Sequence, residues 1–339
     1  MSTDRRHLKL QRQKKRRRRI LFFLVIPFLL ITLSAAGYGT YLYKKAENAV
    51  NDSYNDLEGR EKSDKRDTEV NPDQDNISIL FIGVDESDSR NFGDAVRSDA
   101  LMLATLNEKN KTVKLVSIPR DSYVYVDEVG YKTKINHAFA YGGAKASMET
   151  VEELLDIPVD YYVKMNFYAF IDVVDALNGI TVEVPYELFE KDSEDNNNAI
   201  HILPGEQELD GEEALAFART RKLDNDIERG KRQQDILKAI MRKASQANSI
   251  SKYDNVIEAV GDNMETNMTF SEMKTLGKYG INKDLEVETL TVNGTDTYID
   301  EVYYWELDPS SVNSISTELK DHLEVSSRDD KENKVASKR

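Results

Sequence analysis

Between Arg19 and Lys44 the chain runs for 24 residues, Ile20 to Tyr43, without a single charge. RQKKRRRR, Arg12 to Arg19, stands directly before that run, and Lys44-Lys45 directly after it. An uncharged apolar segment of this length crosses a bilayer as one helix, and the basic flank holds its near end in the cytoplasm. The sequence therefore predicts a basic cytoplasmic segment over 1–19, a transmembrane anchor over 20–43, and everything from residue 44 on the outer side. Tyr38, Tyr41 and Tyr43 fall where the outer interface would lie. Ser34-Ala35-Ala36 loosely resembles a cleavage site, but the apolar run continues past it, which favours an uncleaved anchor.

The charge distribution agrees with that division. Residues 1–43 hold ten Lys and Arg against one acid, leaving 36 basic and 60 acidic residues for the rest. A part so acidic is a poor partner for nucleic acid. Cysteine is absent, which excludes disulfides, thiol catalysis and thiolate metal sites. No HExxH, GxSxG, phosphate-loop or dinucleotide-binding pattern is present.

Residues 44–76 are polar and lack apolar periodicity, and read as a stalk or linker. NISILFIGV (76–84) is a short continuous apolar run of the kind that forms a strand buried on both faces. SDALMLATL (98–106) and TVKLVSI (112–118) follow as strands of a hairpin joined by NEKNK. A helix is expected over 145–155, a strand over 159–165, a helix over 167–177 closed by Asn178-Gly179, and a strand at ITVEVP. Two helices carry EEALAFA and IERGKRQQDILKAIMRKA. Helices are also expected at YDNVIEAVGDNM and FSEMKTLGKYG, strands at 285–292 and 298–304, a helix from Pro309 to Glu324, and a disordered tail over 326–339. Alternating helices and strands with one hairpin predict an α/β fold, a three-layer α-β-α sandwich with a mixed central sheet. Its core would span 77–245, with 246–325 as the C-terminal part of the same extracellular domain.

Polar residues cluster where the strands of such a sheet end. Asp85 closes the first strand, Arg97 and Asp99 open the second, and Arg120 and Asp121 follow the third. Lys134, Asn136 and His137 precede a glycine pair. Strand ends line the ligand crevice of an open α/β sheet. Carboxylates among arginines are expected where a divalent cation and a phosphate bind together. Taken singly, Asp85 or Asp99 is a cap, Asp121 a turn residue and His137 a packed histidine.

The densest basic segment is RTRKLDNDIERGKRQQ, Arg219 to Gln234, in a chain otherwise acidic. Arg229, Arg232 and Gln233 stand at i, i+3 and i+4, on one helical face. Guanidinium groups match phosphate oxygens with paired donors. The plain alternative is a solvated helix laced with salt bridges. The expectation here is that Arg229 and Gln233 face an anion, while Arg232 lies at the margin or pairs with Glu228.

The ordered set FIGVD, RSDALML, SIPRDS, KINHAFAYGG, VDALNGI, LDGEEALAFARTR and ERGKRQQ resembles the LytR-CpsA-Psr family over about residues 77–245. That resemblance implies a membrane-anchored phosphotransferase of the teichoic acid transferase type. It would move an anionic glycopolymer from a polyprenyl-pyrophosphate carrier to peptidoglycan. It implies Mg²⁺ (or Mn²⁺) on Asp85 and Asp99, with Arg97, Arg120, Arg219, Arg229 and Gln233 around the pyrophosphate, and Lys134 and Arg221 as further contacts. Asp99, Arg97 and Arg120 would carry the chemistry. The chain departs from the family pattern in two places. The segment between RTR and ERGKRQQ is short, so Arg219 and Arg221 compete for one role, and Asn178 replaces a usual glycine. VDYYVKM and FYAFIDVVDAL are apolar enough to line a slot for the prenyl tail. Pyrophosphate hydrolysis at the same site, and a non-catalytic wall-binding or regulatory role, are the competing readings.

Overall fold

The computed structural model describes residues 26–85, 96–222, 226–244, 263–281 and 285–325. Two compact units divide at Asn48/Ala49. The first is described as a single helix, α1 (Ile26–Ser53), whose last residues belong to the second unit. Part of the expected anchor, Ile20 to Val25, lies outside the described residues. Among the described residues no helix is long and apolar enough to cross a membrane. Residues 253–262 of the helix expected at YDNVIEAVGDNM (253–264) and the tail 326–339 also lie outside them.

The second unit is built on a six-stranded mixed sheet. Its strands are β1 (Ile77–Val84), β2 (Ser98–Asn107), β3 (Thr112–Ile118), β6 (Tyr161–Asn166), β11 (Met264–Thr266) and β12 (Glu286–Thr291), in the order β11-β6-β1-β2-β3-β12. β1 is antiparallel to β2 and parallel to β6, and β3 is antiparallel to β2 and parallel to β12. The C-terminal ends of β1, β3, β6 and β12 therefore share one edge with the start of β2.

Alternation along β1 explains the layers. Leu80, Ile82 and Val84 pack with helices α2 (Asn136–Leu155) and α7 (Pro309–Leu323), while Ile77 and Ile79 join Leu237, Met241, Met273 and Leu276 on the other face. Those last four belong to α5 (Asp226–Ala244) and α6 (Phe270–Ile281). Both faces are covered, so the continuous apolar run in β1 reflects burial on two sides.

Several elements differ from the sequence expectation. α2 begins nine residues earlier than predicted, because Gly143 takes φ +63° and lets two helical stretches join across a kink. The hairpin β4 (Tyr123–Val126) and β5 (Tyr131–Lys134) was not expected, nor were β8 (Leu188–Glu190), β9 (Ile200–Ile202) and β10 (Gly205–Leu209), which pairs with β7 (Ile180–Val184). Met264, expected at the end of a helix, lies in β11. The predicted strand 298–304 is the middle of a hairpin, β13 (Gly294–Ile299) and β14 (Val302–Leu307). Asp300 and Glu301 both have positive φ, 49° and 66°, which is the signature of a two-residue primed turn.

The segment read as a polar stalk finishes α1 and then packs within the second unit. Arg60 pairs with Glu152 at 2.9 Å and donates to the Val159 carbonyl, and Arg66 pairs with Asp160 at 2.7 Å. Ser63 is buried against Glu152. Ion pairs carry this packing, and apolar periodicity could not have revealed it.

Candidate active site

The shared sheet edge collects the charged residues that the sequence singled out. Gly83 pairs with Ala100 but Val84 pairs with Ser98, so Asp99 is the extra residue of a β-bulge. A bulge re-aims its side chain out of the regular alternation. Asp85, one residue beyond β1, has its side chain buried at the same edge. Asp99 is ion-paired with Arg120, which follows Pro119 at the end of β3. Arg120 Nε is buried without a hydrogen-bond acceptor; Asp121 Oδ2 stands 3.5 Å away.

Asp121 is more than a turn residue. It is buried and binds Lys134 Nζ at 2.8 Å from its other oxygen. The Asn136 N–H donates to the Arg120 carbonyl at 3.2 Å, so the start of α2 is pinned to the arginine loop. The side-chain oxygen of Asn136 is buried and has no partner. His137 bonds Thr133 Oγ1 at 2.9 Å, and its pKa is held below the ordinary imidazole range by burial and then by the positive charges of Arg97 and Lys134. Arg97 is exposed, and its charge and that of Lys134 act on the same imidazole.

A second group arrives from the helices. Asn166 ends β6 and caps α3 (Phe167–Ala176), accepting from the Ala169 N–H at 2.9 Å. Arg219, the last residue of α4 (Gly211–Arg219), stacks on the Phe167 ring at 4.7 Å. Asp210 and Glu213 form a capping box at the start of α4. Arg221 is exposed just beyond α4. Arg229, buried in the first turn of α5, precedes Gly230, which lies directly on Ser117 of β3. The edge thus holds Arg120 from the sheet, Arg219 from α4 and Arg229 from α5.

Two expectations about α5 are corrected. Arg232 is not at a margin and does not pair with Glu228, which binds Lys231 at 2.7 Å. It is buried and donates to the carbonyls of Phe217 (3.0 Å) and Thr220 (2.6 Å) and to Tyr186 Oη (3.2 Å). It closes the C-terminal end of α4, where a cation is favoured. Gln233 donates to the Ala218 carbonyl at 3.4 Å and so leans on the same helix end. Gln234, which the sequence did not single out, is buried and ties α5 to the Leu115 and Leu290 carbonyls of β3 and β12.

Carboxylates at a bulge, cations from three elements and a crevice at strand ends define a protein that handles a polyanion by charge and position. Among the described residues no three His, Cys, Asp or Glu side chains form a self-sufficient metal cluster. The chain belongs to the LytR_cpsA_psr family, which matches residues 40–321. It is 38% identical over 320 residues to the polyisoprenyl-teichoic acid–peptidoglycan teichoic acid transferase TagT of Bacillus subtilis, covering 93% of this chain and 98% of that protein. A solved structure described as TagT bound to LIIa-WTA aligns with TM-score 0.70 and 38% identity, over 80% of this chain and all of that one. Another, described as YwtF (TagT) with bound octaprenyl pyrophosphate lipid, aligns with TM-score 0.65 and 36% identity over the same shares.

Proposed function

We propose that this chain transfers an anionic, teichoic-acid-like glycopolymer from a polyprenyl diphosphate to peptidoglycan, with the reaction at the edge where β1, β2 and β3 meet α4 and α5. The observation that carries this reading is the gathering of Arg120, Arg219 and Arg229 beside Asp85 and the bulged Asp99. Relatives named as teichoic acid transferases, and a homologous structure holding a prenyl pyrophosphate, support the substrate class. The anchor is Ile20–Tyr43, with the domain outside the cell membrane.

Phosphoryl transfer asks little covalent chemistry of a protein; it asks for position and charge. A sugar hydroxyl of the peptidoglycan acceptor attacks the phosphorus that carries the polymer. The P–O bond to the bridging oxygen breaks, and polyprenyl phosphate leaves. Arg120, Arg219 and Arg229 hold the diphosphate oxygens as charge moves onto the leaving group. Arg97 and Lys134 add positive charge from the β2 and β5 side. Asp99 is held by Arg120 until a phosphate oxygen competes for that guanidinium, which frees a carboxylate next to the attacking hydroxyl to accept its proton.

Asp85 and Asp99 also fit a hard divalent cation. Mg²⁺ binds through one or two carboxylates and completes its shell with phosphate oxygens and water, so this small donor set suits an ion that arrives with the diphosphate. When bound, it would neutralise charge on the bridging oxygens. In the same proposal, the apolar strand β6 and helix α3 guide the prenyl tail.

The test is turnover of a labelled polyprenyl-diphosphate-linked polymer with and without peptidoglycan. Acceptor-dependent appearance of label in insoluble wall material supports transfer. Equal release of free polymer phosphate in both arms would mean hydrolysis, and no turnover would return the chain to a binding or regulatory role.

A further inference from the structure

Beside the arginines lies a surface of different chemistry, formed by two hairpins that the sequence did not foretell. In β4 and β5, Val124, Val126 and Thr133 point into the core. Alternation sends Tyr123, Tyr125, Lys132 and Lys134 outward, where Tyr123 opposes Lys134 and Tyr125 opposes Lys132. The second hairpin continues this strip. Ser122 bridges Trp305 in parallel, and the Trp305 N–H donates to the Asp121 carbonyl at 2.9 Å. β14 thereby lies along β4, and the rings of Tyr123 and Tyr304 meet at 4.9 Å and 60°.

The two lysines tie the strip together and to the reaction edge. Lys132 Nζ lies 5.9 Å from the Tyr123 ring, and Lys134 Nζ lies 5.7 Å from the rings of both Tyr303 and Tyr304. Lys134 also binds Asp121, the neighbour of Arg120. The strip is tyrosine-rich, with Tyr125 40% and Tyr298 70% exposed. A tyrosine offers an apolar ring and a hydroxyl at its rim. A pyranose offers the counterpart, an apolar C–H face and a hydroxyl equator.

Charge separates the two substrates. Neither hairpin contains an arginine, and Asp127, Glu128, Asp296, Asp300, Glu301 and Glu306 outnumber the two lysines. Such a surface repels an anionic polymer, whose charges the arginines of α4 and α5 take on the other side. A prenyl tail would call for aliphatic side chains in place of tyrosines.

We infer that the strip from Tyr125 across Tyr123 to Tyr304 seats the sugar backbone of the acceptor glycan, so that a hydroxyl reaches the Asp99–Arg120 edge past Lys134. This inference rests on the transferase reading above. The chain's single tryptophan, Trp305, follows Tyr304 in β14 with its indole packed against Gly294, and reports on the hairpin beneath the strip without any turnover. The full chain is titrated with soluble, uncrosslinked peptidoglycan strand fragments, and Trp305 fluorescence is followed for the unaltered protein, Tyr125→Ala and Tyr125→Phe. The expected result is a saturable change, weakened roughly tenfold by Tyr125→Ala, as loss of one aromatic contact implies, and retained by Tyr125→Phe. The same variants enter the transfer assay, where Tyr125→Ala should raise KM for acceptor about tenfold and leave KM for the lipid donor unchanged. Binding without transfer would keep the seat and remove the transferase reading. Transfer with an unchanged acceptor KM in Tyr125→Ala, or no saturable fluorescence change in the unaltered protein, would overturn the seat.

Discussion

Gly230 lies on Ser117: a Cβ built at position 230 would stand 3.0 Å from Ser117 Cβ and closer still to its hydroxyl. This contact presses the first turn of α5 onto the end of β3, and it fixes where Arg229 stands relative to Arg120. Gly230→Ala should force the helix outward. Overpacking of this kind costs about 1–3 kcal/mol, and turnover should fall by more than the loss of folded protein explains. Combining it with Ser117→Gly should recover both urea midpoint and rate; recovery of stability without rate would separate packing from positioning.

Arg229 and Arg232 should respond differently to lysine. Arg229→Lys keeps the charge and loses the fork, and should cost turnover on the order of 2–4 kcal/mol of barrier, as expected for one preorganised donor. Arg232→Lys cannot reach the Phe217 and Thr220 carbonyls and Tyr186 together. It should lower stability by about 2–3 kcal/mol, since hydrogen bonds to a buried charge are the strong ones. Urea unfolding of both variants beside steady-state rates gives the answer. A stable Arg232→Lys protein would contradict the structural role of that arginine.

Arg232 also shows where sequence reasoning stops. Its helical phase beside Arg229 and Gln233 was legible, but phase alone does not say which of three neighbours meets another helix. Only the end of α4, with its unpaired carbonyls, decided that. Asp85 and Arg120 were legible because a continuous apolar run or a Pro marks where a strand ends. Asp99 was legible as a residue but not as a bulge, because the register shift that skips it, between the Gly83–Ala100 and Val84–Ser98 pairs, leaves no trace in composition. The tie of Arg60 to Glu152 spans 92 residues and depends on charge, so periodicity along residues 44–76 could not reveal it.

His322 should make the domain sensitive to acid. Its ring bonds Thr105 Oγ1 and Thr112 Oγ1, each at 2.8 Å, and joins α7 to β2 and β3. Burial, followed by the charge of Lys114, holds its pKa below the ordinary 6.5. The unfolded chain then binds that proton more readily, so the stabilisation is present above pH 6.5 and is lost as pH falls below it. The stability gap between the unaltered protein and His322→Asn should narrow on moving from pH 8 to pH 5 in urea titrations. A gap that stays constant or widens would contradict a neutral imidazole.

Asp99→Asn should abolish transfer while leaving the fold intact. The side chain is about one-third exposed and its partner is a partly exposed arginine, so the pair contributes little to stability, about 0–1 kcal/mol. Calorimetric Mg²⁺ titration with a diphosphate present should also lose its signal in Asp85→Asn. A large drop in melting temperature for either variant would make that carboxylate a structural cap.

The location of the diphosphate is the central claim, and a crystal structure with a short-chain polyprenyl diphosphate tests it most directly. The two phosphates should lie at the sheet edge, within hydrogen-bond reach of the guanidinium groups of Arg120 and Arg229, with Asp99 released from Arg120. Phosphates bound instead among Arg60, Lys62 and Arg66, which line a polar cavity of about 280 Å³ with Asp160 and Tyr161 at the N-terminal end of β6, would contradict the account.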